Sequence, residues 1–76
     1  MKAAVEKIIR ALVEKPDEVE VRENAGDKST IIEVRVAEGD MGRIIGREGR
    51  TIKAIRSLLY AASEKHRKRF VLQIIE

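Results

Sequence analysis

Two strand-like segments of this 76-residue chain are separated by roughly thirty residues of helical pattern, a spacing that suits a crossover between parallel strands. Residues 30–37 alternate apolar and polar side chains, whereas residues 70–75 are apolar apart from Gln73. This connection limits the fold more than any other feature, because parallel neighbours cannot be joined by a tight turn. A chain of this size builds only one small core, so we expect the helices of the crossover to pack on the sheet.

The residues before this pair of strands predict a helix followed by a hairpin. Residues 2–15 repeat aliphatic side chains with helical spacing, and Pro16 disfavours helical backbone at the residue before it. Residues 18–23 alternate charged residues and valines over most of their length, which is typical of a half-buried strand. Residues 24–28 have glycine at their centre, so this strand and the next are predicted to form an antiparallel hairpin.

Two helices are predicted within the crossover. Asp40 suits the N-cap of a short helix over residues 41–45, after which two glycines interrupt the pattern. A longer helix follows from about residue 50 to residue 66, with these residues on one half of its wheel: Ile52, Ile55, Leu58, Leu59 and Ala62. The order helix, strand, strand, helix, helix, strand predicts one α+β domain over residues 1–76. We expect a three-stranded mixed sheet with three helices packed on one face.

Composition excludes several functional classes. The chain has no cysteine and one histidine, His66, so it cannot form a disulfide, a thiolate metal site or a cluster of histidine metal ligands. Charged residues interrupt the N-terminal apolar residues, which argues against a signal peptide or a membrane anchor. We therefore expect a complete cytoplasmic protein that is not an enzyme and holds no metal or cofactor. The alternative is a fragment or an excised domain of a larger protein.

Charge is distributed unevenly along the chain. Residues 41–69 contain nine basic and two acidic residues and carry +7, whereas the remaining residues carry −4, although the whole chain carries only +3. Such a concentration of positive charge on part of a small surface favours a polyanionic partner. The alternative is ordinary scatter of solubilising charge.

The stretch from Gly46 to Gly49 joins the two crossover helices and lies within the basic region. Two glycines three residues apart allow a tight turn, and the free N–H groups at the start of the following helix favour a phosphate. Basic residues surround this turn: Arg43, Arg47, Arg50, Lys53 and Arg56. The spacing fits neither a Walker A loop nor a dinucleotide-binding loop. The alternative is a turn whose glycines serve only the connection between two helices.

The sequence around this turn resembles the K-homology (KH) domain. The family signature is an apolar pair, a GxxG loop and a helix bearing isoleucine, which here are Ile44-Ile45, Gly46 to Gly49 and Ile52. The resemblance covers the whole chain, because the element order matches the prokaryotic type II arrangement. A chain of this length is similar to the small stand-alone bacterial KH proteins of the KhpA type.

The resemblance implies binding of single-stranded RNA, or in some members single-stranded DNA, with about four nucleotides held against the GxxG loop. The loop would touch the sugar-phosphate backbone, and the neighbouring isoleucines would support or line an apolar groove. Residues 32–36 would form the other wall of that groove, and the turn at residues 24–28 would be the variable loop of the family. The residues expected at the RNA site are Gly46, Arg47, Glu48, Gly49, Arg43, Arg50, Lys53, Ile44, Ile45, Ile52 and Arg56. Ile45 and Ile52 are equally consistent with a role in the core alone.

Two features shape the expected mode of binding. Members of the family often carry a basic residue inside the loop, and here Arg47 is accompanied by Glu48, which would repel a phosphate. The chain has only two aromatic residues, Tyr60 and Phe70, so we expect recognition through backbone contacts, aliphatic packing and hydrogen bonds. Tyr60 is interpreted as a surface residue or as part of a surface that binds a partner.

Two functions remain open at this stage. The first is a non-catalytic RNA-binding protein of low sequence specificity, an RNA chaperone or post-transcriptional regulator. The second is an interaction module that uses the KH fold to pair with itself or with another KH-containing protein, with RNA binding secondary. Basic residues beside the loop favour the first, and an exposed apolar patch on the folded domain would favour the second.

Overall fold

The computed structural model describes residues 1–75, and its element order is the predicted αββααβ. The helices and strands are α1 (Lys2–Leu12), β1 (Glu20–Ala25), β2 (Ser29–Arg35), α2 (Met41–Ile45), α3 (Arg50–His66) and β3 (Arg69–Ile75). The predicted bounds of α2 and α3 are confirmed: α2 begins after Asp40 and is followed by Gly46, and Gly49 directly precedes α3.

The three strands form one mixed sheet in the order β1-β2-β3. β1 pairs antiparallel with β2, with Val21 opposite Val34, and β2 pairs parallel with β3, with Ile32 beside Leu72. The helical connection from β2 to β3 is therefore the predicted parallel crossover. β2 lies at the centre of the sheet, and β3 lies at an edge.

The core lies between the sheet and the helices. Alternate residues of the strands face the helices, and Ile32 and Val34 of β2 are fully buried there. They pack in one cluster with Ile9 of α1, Ile44 of α2 and Leu59 of α3, so every helix contributes to the same core. The opposite face of the sheet carries exposed charged side chains, and the predicted α+β architecture is confirmed.

The connection between α1 and β1 differs from the prediction. α1 ends at Leu12 rather than at residue 15, Val13 is extended, and residues 16–18 form a single 3₁₀ turn before β1. The reason is Asp40, whose carboxylate accepts hydrogen bonds from the backbone N–H groups of Glu14 and Lys15, both at 3.0 Å. These two N–H groups are thereby paired outside a helix.

Asp40 itself is therefore not the predicted side-chain N-cap of α2. Its carboxylate makes no capping hydrogen bond to α2, and the residue is buried with only 3% of its surface exposed. Two charge-assisted hydrogen bonds to the end of the α1 segment satisfy the buried carboxylate instead. Asp40 thus ties the segment after α1 to the start of α2, three residues before Arg43.

Candidate nucleic-acid interface

The loop between α2 and α3 is an exposed turn whose shape depends on its two glycines. α2 ends at Gly46, which has φ 77° and ψ 172°, a conformation essentially restricted to glycine. Residues 47–49 form a single 3₁₀ turn, closed by a 3.1 Å hydrogen bond from the N–H of Gly49 to the carbonyl oxygen of Gly46. Gly49 has φ 74° and lies directly before α3.

The two glycines are needed for different reasons. A Cβ added to Gly46 would lie 2.2 Å from Oγ1 of Thr51 and 2.8 Å from its backbone nitrogen, so Gly46 allows the loop to fold tightly on the start of α3. A Cβ added to Gly49 would find its nearest neighbours at 3.9 Å, which is ordinary contact. Gly49 is therefore needed for its positive φ alone.

The backbone of this loop offers hydrogen-bond donors to solvent. The N–H groups of Gly49 and Arg50 donate within the turn, whereas those of Arg47 and Glu48 have no partner among residues 1–75. Two adjacent unpaired N–H groups beside a helix N-terminus suit an anionic oxygen.

Glu48 occupies an unusual position in this turn. Its φ of 56° places a residue with a side chain in the left-handed region, which most residues avoid. Its carboxylate Oε2 lies 4.0 Å from Nη2 of Arg50, and both side chains are more than three-quarters exposed. An exposed pair at this distance contributes little energy, so Arg50 remains available to another anion.

The predicted basic residues separate into two groups. Arg47, Lys53 and Arg56 are exposed, and no carboxylate among residues 1–75 lies within 4.0 Å of them. The guanidinium of Arg43 instead forms an ion pair with Glu14, and its Nε lies 3.6 Å from the Asp40 carboxylate. The positive charge of Arg43 is thus engaged on the side of the domain that faces α1.

The three isoleucines of the motif also differ in position. Ile44 is fully buried and Ile52 is 8% exposed, and both belong to the core cluster beneath the loop. Ile45 is 42% exposed and lies outside that cluster. Ile44 and Ile52 can therefore support the loop from below, whereas Ile45 is the one of the three whose side chain a ligand can reach.

A groove of about 510 Å³ runs along α3, and its second wall is β3. Its rim and walls include Arg56, Tyr60 and Ser63 from α3 and Arg69, Phe70 and Val71 from β3. The expectation that residues 32–36 form this wall is wrong, because none of them lines the groove: β2 is the central strand, and the side chains of Ile32 and Val34 are fully buried. The edge strand β3 borders the groove in its place.

Sequence reasoning missed Tyr60 and Arg69 as residues of this groove. The relevant pattern was present, because Lys53, Arg56 and Tyr60 follow Gly49 at intervals of four, three and four residues and so form one stripe along α3. The strand that this stripe faces could not be read from the pattern. Ser63 joins the two walls at the far end, where its Oγ accepts a 2.9 Å hydrogen bond from the N–H of Phe70.

The part of the chain that the structure describes contains neither a metal-binding cluster nor a membrane-spanning helix. Among residues 1–75, no group of three or more histidine, aspartate or glutamate side chains is placed to hold a metal ion. No helix in this range is long and apolar enough to cross a membrane.

Comparison with known proteins identifies the family. The profile of the KhpA/KhpB KH domain matches residues 2–74. The chain belongs to the KhpA/KhpB KH-domain family. It is 49% identical to the RNA-binding protein KhpA of Clostridium acetobutylicum over 99% of this chain and 100% of the relative. It is also 49% identical to RNA-binding protein KhpA of Halalkalibacterium halodurans over the full length of both chains. No solved structure matches the chain at a significant level.

The KhpA/KhpB assignment and the geometry agree on the extent of the domain. The family profile begins at the start of α1 and ends within β3, so all six elements belong to the family unit. The KH signature predicted from the sequence therefore lies in a complete type II fold, with its GxxG loop exposed between α2 and α3.

Proposed function

We propose that this protein is a non-catalytic single-stranded RNA-binding protein that grips about four nucleotides at the GxxG loop. The main support for the proposal is the geometry of the loop, where two unpaired backbone N–H groups lie among exposed, unpaired cations. Membership of a family whose relatives are named RNA-binding proteins supports the same conclusion. Single-stranded DNA presents the same phosphates and is a secondary ligand in this proposal.

The proposed path of the strand follows the positive charge. A phosphate binds the N–H groups of Arg47 and Glu48, which the turn between Gly46 and Gly49 leaves unpaired. Lys53 and Arg56 then hold the following phosphates along α3, and Arg50 adds charge beside the loop. Ile45 contacts a base or sugar at the loop, whereas Arg43 contributes at most long-range attraction because Glu14 and Asp40 engage it.

The biological role follows from the kind of contact available. Backbone N–H groups and cations recognise phosphates, which carry no sequence information, so the protein binds RNA with low sequence specificity. Low specificity with preference for single strands suits an RNA chaperone or a post-transcriptional regulator in the cytoplasm. Duplex RNA binds more weakly, since its bases are paired and stacked and are not free to enter the groove.

A second surface supports the alternative role as an interaction module. Leu58 was predicted to lie with the apolar half of α3, yet 60% of its surface is exposed. It borders a small apolar groove between α1 and α3, whose walls include Met1, Ala4, Ile8 and Ile55. We propose that this surface pairs with a second copy of the chain or with another KH-containing protein. Leu58 and Tyr60 point about 200° apart on α3, so pairing leaves the RNA groove open.

The RNA proposal is tested by the double substitution Arg47→Asp with Glu48→Asp. The new charges face the phosphate, and aspartate tolerates the left-handed backbone at position 48, so folding should be unaffected. We expect no measurable binding of a short single-stranded RNA in a fluorescence anisotropy titration. The matched control is Arg22→Asp on the open face of the sheet, which changes the net charge equally and should bind nearly as well as wild type. Unchanged affinity in the double variant would reject the loop as the RNA site.

The pairing proposal has a separate test. Leu58→Glu places a charge in the exposed apolar surface, and sedimentation equilibrium of this variant should show a lower average mass than wild type. Wild-type protein that sediments as a monomer at high concentration would reject self-pairing.

A further inference from the structure

Tyr60 is the exposed aromatic side chain of the groove between α3 and β3. It is 69% exposed, and its hydroxyl has no hydrogen-bond partner among residues 1–75. The other aromatic residue of the groove, Phe70, is half-buried and packs edge-on against His66, with ring centroids 6.1 Å apart at 83°. Tyr60 is therefore the one aromatic ring here that offers a free face.

The surroundings of Tyr60 suit a nucleic acid strand. Arg56 lies one turn before it on α3, and Arg69 lies across the groove on β3. None of the described residues that line this groove is acidic, while Leu59 and Leu72 form part of its apolar surface. The tyrosine ring and the apolar surface beside it suit the base of a nucleotide, and the two guanidinium groups suit its phosphate.

The distance from the GxxG loop to Tyr60 fits the proposed strand. Tyr60 lies eleven positions after Gly49 in sequence, which at about 1.5 Å per residue is about 16 Å along α3. A stacked strand advances about 3.4 Å per nucleotide, so about five nucleotides reach from the loop to Tyr60. The GxxG loop is proposed to hold about four nucleotides. The ring of Tyr60 therefore lies beside the last of these nucleotides or beside the next one.

We propose that Tyr60 stacks on one base of the bound single strand and that Arg69 binds the phosphate beside that base. This inference rests on the proposed function and adds to it a second contact region, about three turns along α3 from the GxxG loop. Stacking accepts every base, because every base has a π face, so the contact extends the bound length without adding strong sequence preference. It also replaces the expectation that recognition here uses only backbone and aliphatic contacts.

The test combines substitutions of Tyr60 with a base walk along a hexanucleotide. Tyr60→Ala should weaken binding roughly 5- to 150-fold, the range for loss of one stacked base, whereas Tyr60→Phe should stay within about twofold of wild type. Tyr60→Leu keeps apolar bulk and should resemble alanine. Deleting one base of the RNA to leave an abasic sugar should weaken binding to wild type at one position only. That same deletion should cost nothing further in Tyr60→Ala, since both changes remove one contact.

Fluorescence gives an independent readout of the stack. The chain has one tyrosine and no tryptophan, so its intrinsic emission reports Tyr60 alone. RNA binding should quench that emission, and 2-aminopurine at the position found by the base walk should lose emission with wild type but not with Tyr60→Leu. Arg69→Ala should weaken binding of the hexanucleotide more than that of a dinucleotide held at the loop.

The outcomes separate this inference from the proposed function. If Tyr60→Ala binds as tightly as wild type while the loop double variant does not bind, Tyr60 does not stack and RNA binding at the loop stands. If Tyr60→Phe binds as weakly as Tyr60→Ala, the hydroxyl rather than the ring makes the contact and the stacking inference is overturned. If the loop double variant binds normally, both proposals fail.

Discussion

Replacing Lys53 with alanine should make the slope of log K against log salt for RNA binding shallower by about 0.7. Lys53 lies on α3 next to the GxxG loop, with its Cε 3.9 Å from the position that a Cβ on Gly49 would occupy. No described carboxylate lies within 4.0 Å of its ammonium group, so its charge is available to a phosphate. The substitution is at an exposed helical position, where alanine is well tolerated.

The slope for wild type follows from the cations that the structure leaves unpaired. Arg47, Lys53 and Arg56 would neutralise about three phosphates, which at about 0.7 each gives a slope near −2 for a tetranucleotide. The guanidinium of Arg50 lies 4.0 Å from the carboxylate of Glu48, which offsets part of its charge, so Arg50 would steepen the slope only slightly. Arg43 should not contribute, because Glu14 and Asp40 already engage its guanidinium.

The assay is a fluorescence anisotropy titration of a labelled oligonucleotide at several salt concentrations. The controls are Arg43→Ala, inside the basic motif, and Arg22→Ala, on the open face of the sheet. Both should leave the slope unchanged, although Arg43→Ala should lower the melting temperature slightly by removing an ion pair. If Arg43→Ala flattens the slope as much as Lys53→Ala does, the strand lies on the α1 side of the loop. A wild-type slope steeper than about −4 would place most phosphates elsewhere, because the loop and stripe cannot supply that many cations.

Substitutions at three further positions test the loop and its support. Gly46→Ala should destabilise the domain by at least about 2 kcal/mol, because alanine is strained at this positive φ and its Cβ would overlap Thr51. Thermal unfolding should show a melting temperature lower by about 10 °C, and an unchanged melting temperature would contradict the loop geometry. Glu48→Gln should tighten RNA binding about threefold without changing the stability of the domain, because it removes a negative charge next to the phosphate. Equal or weaker binding in a calorimetric titration would show that the Glu48 carboxylate does not face the bound RNA. Asp40→Ala should lower the free energy of unfolding by about 1.5–3 kcal/mol, because two backbone N–H groups lose a charged acceptor, whereas Asp40→Asn should lower it less. Denaturant unfolding measures both variants, and equal losses would argue against these hydrogen bonds.

Much of this domain could be predicted from its sequence because local patterns control it. Alternating valines and isoleucines predict the strands. Gly46 follows α2 and Gly49 precedes α3, and these boundaries depend on the local backbone freedom of glycine. The connection from β2 to β3 is long and helical enough for a crossover, so the parallel pairing was also predicted. The motif that carries the family assignment is a short contiguous stretch, and it needed no knowledge of the surrounding structure.

The tertiary structure decided which groups face the candidate site. β3 rather than β2 forms the groove wall, Arg43 is paired with Glu14, and Asp40 binds the segment after α1 instead of capping α2. Each of these outcomes joins residues that are far apart in sequence, so no local spacing records them. Strand order and ion pairing depend on how the whole sheet and its three helices fill one shared core, and that packing exists only once the chain has folded.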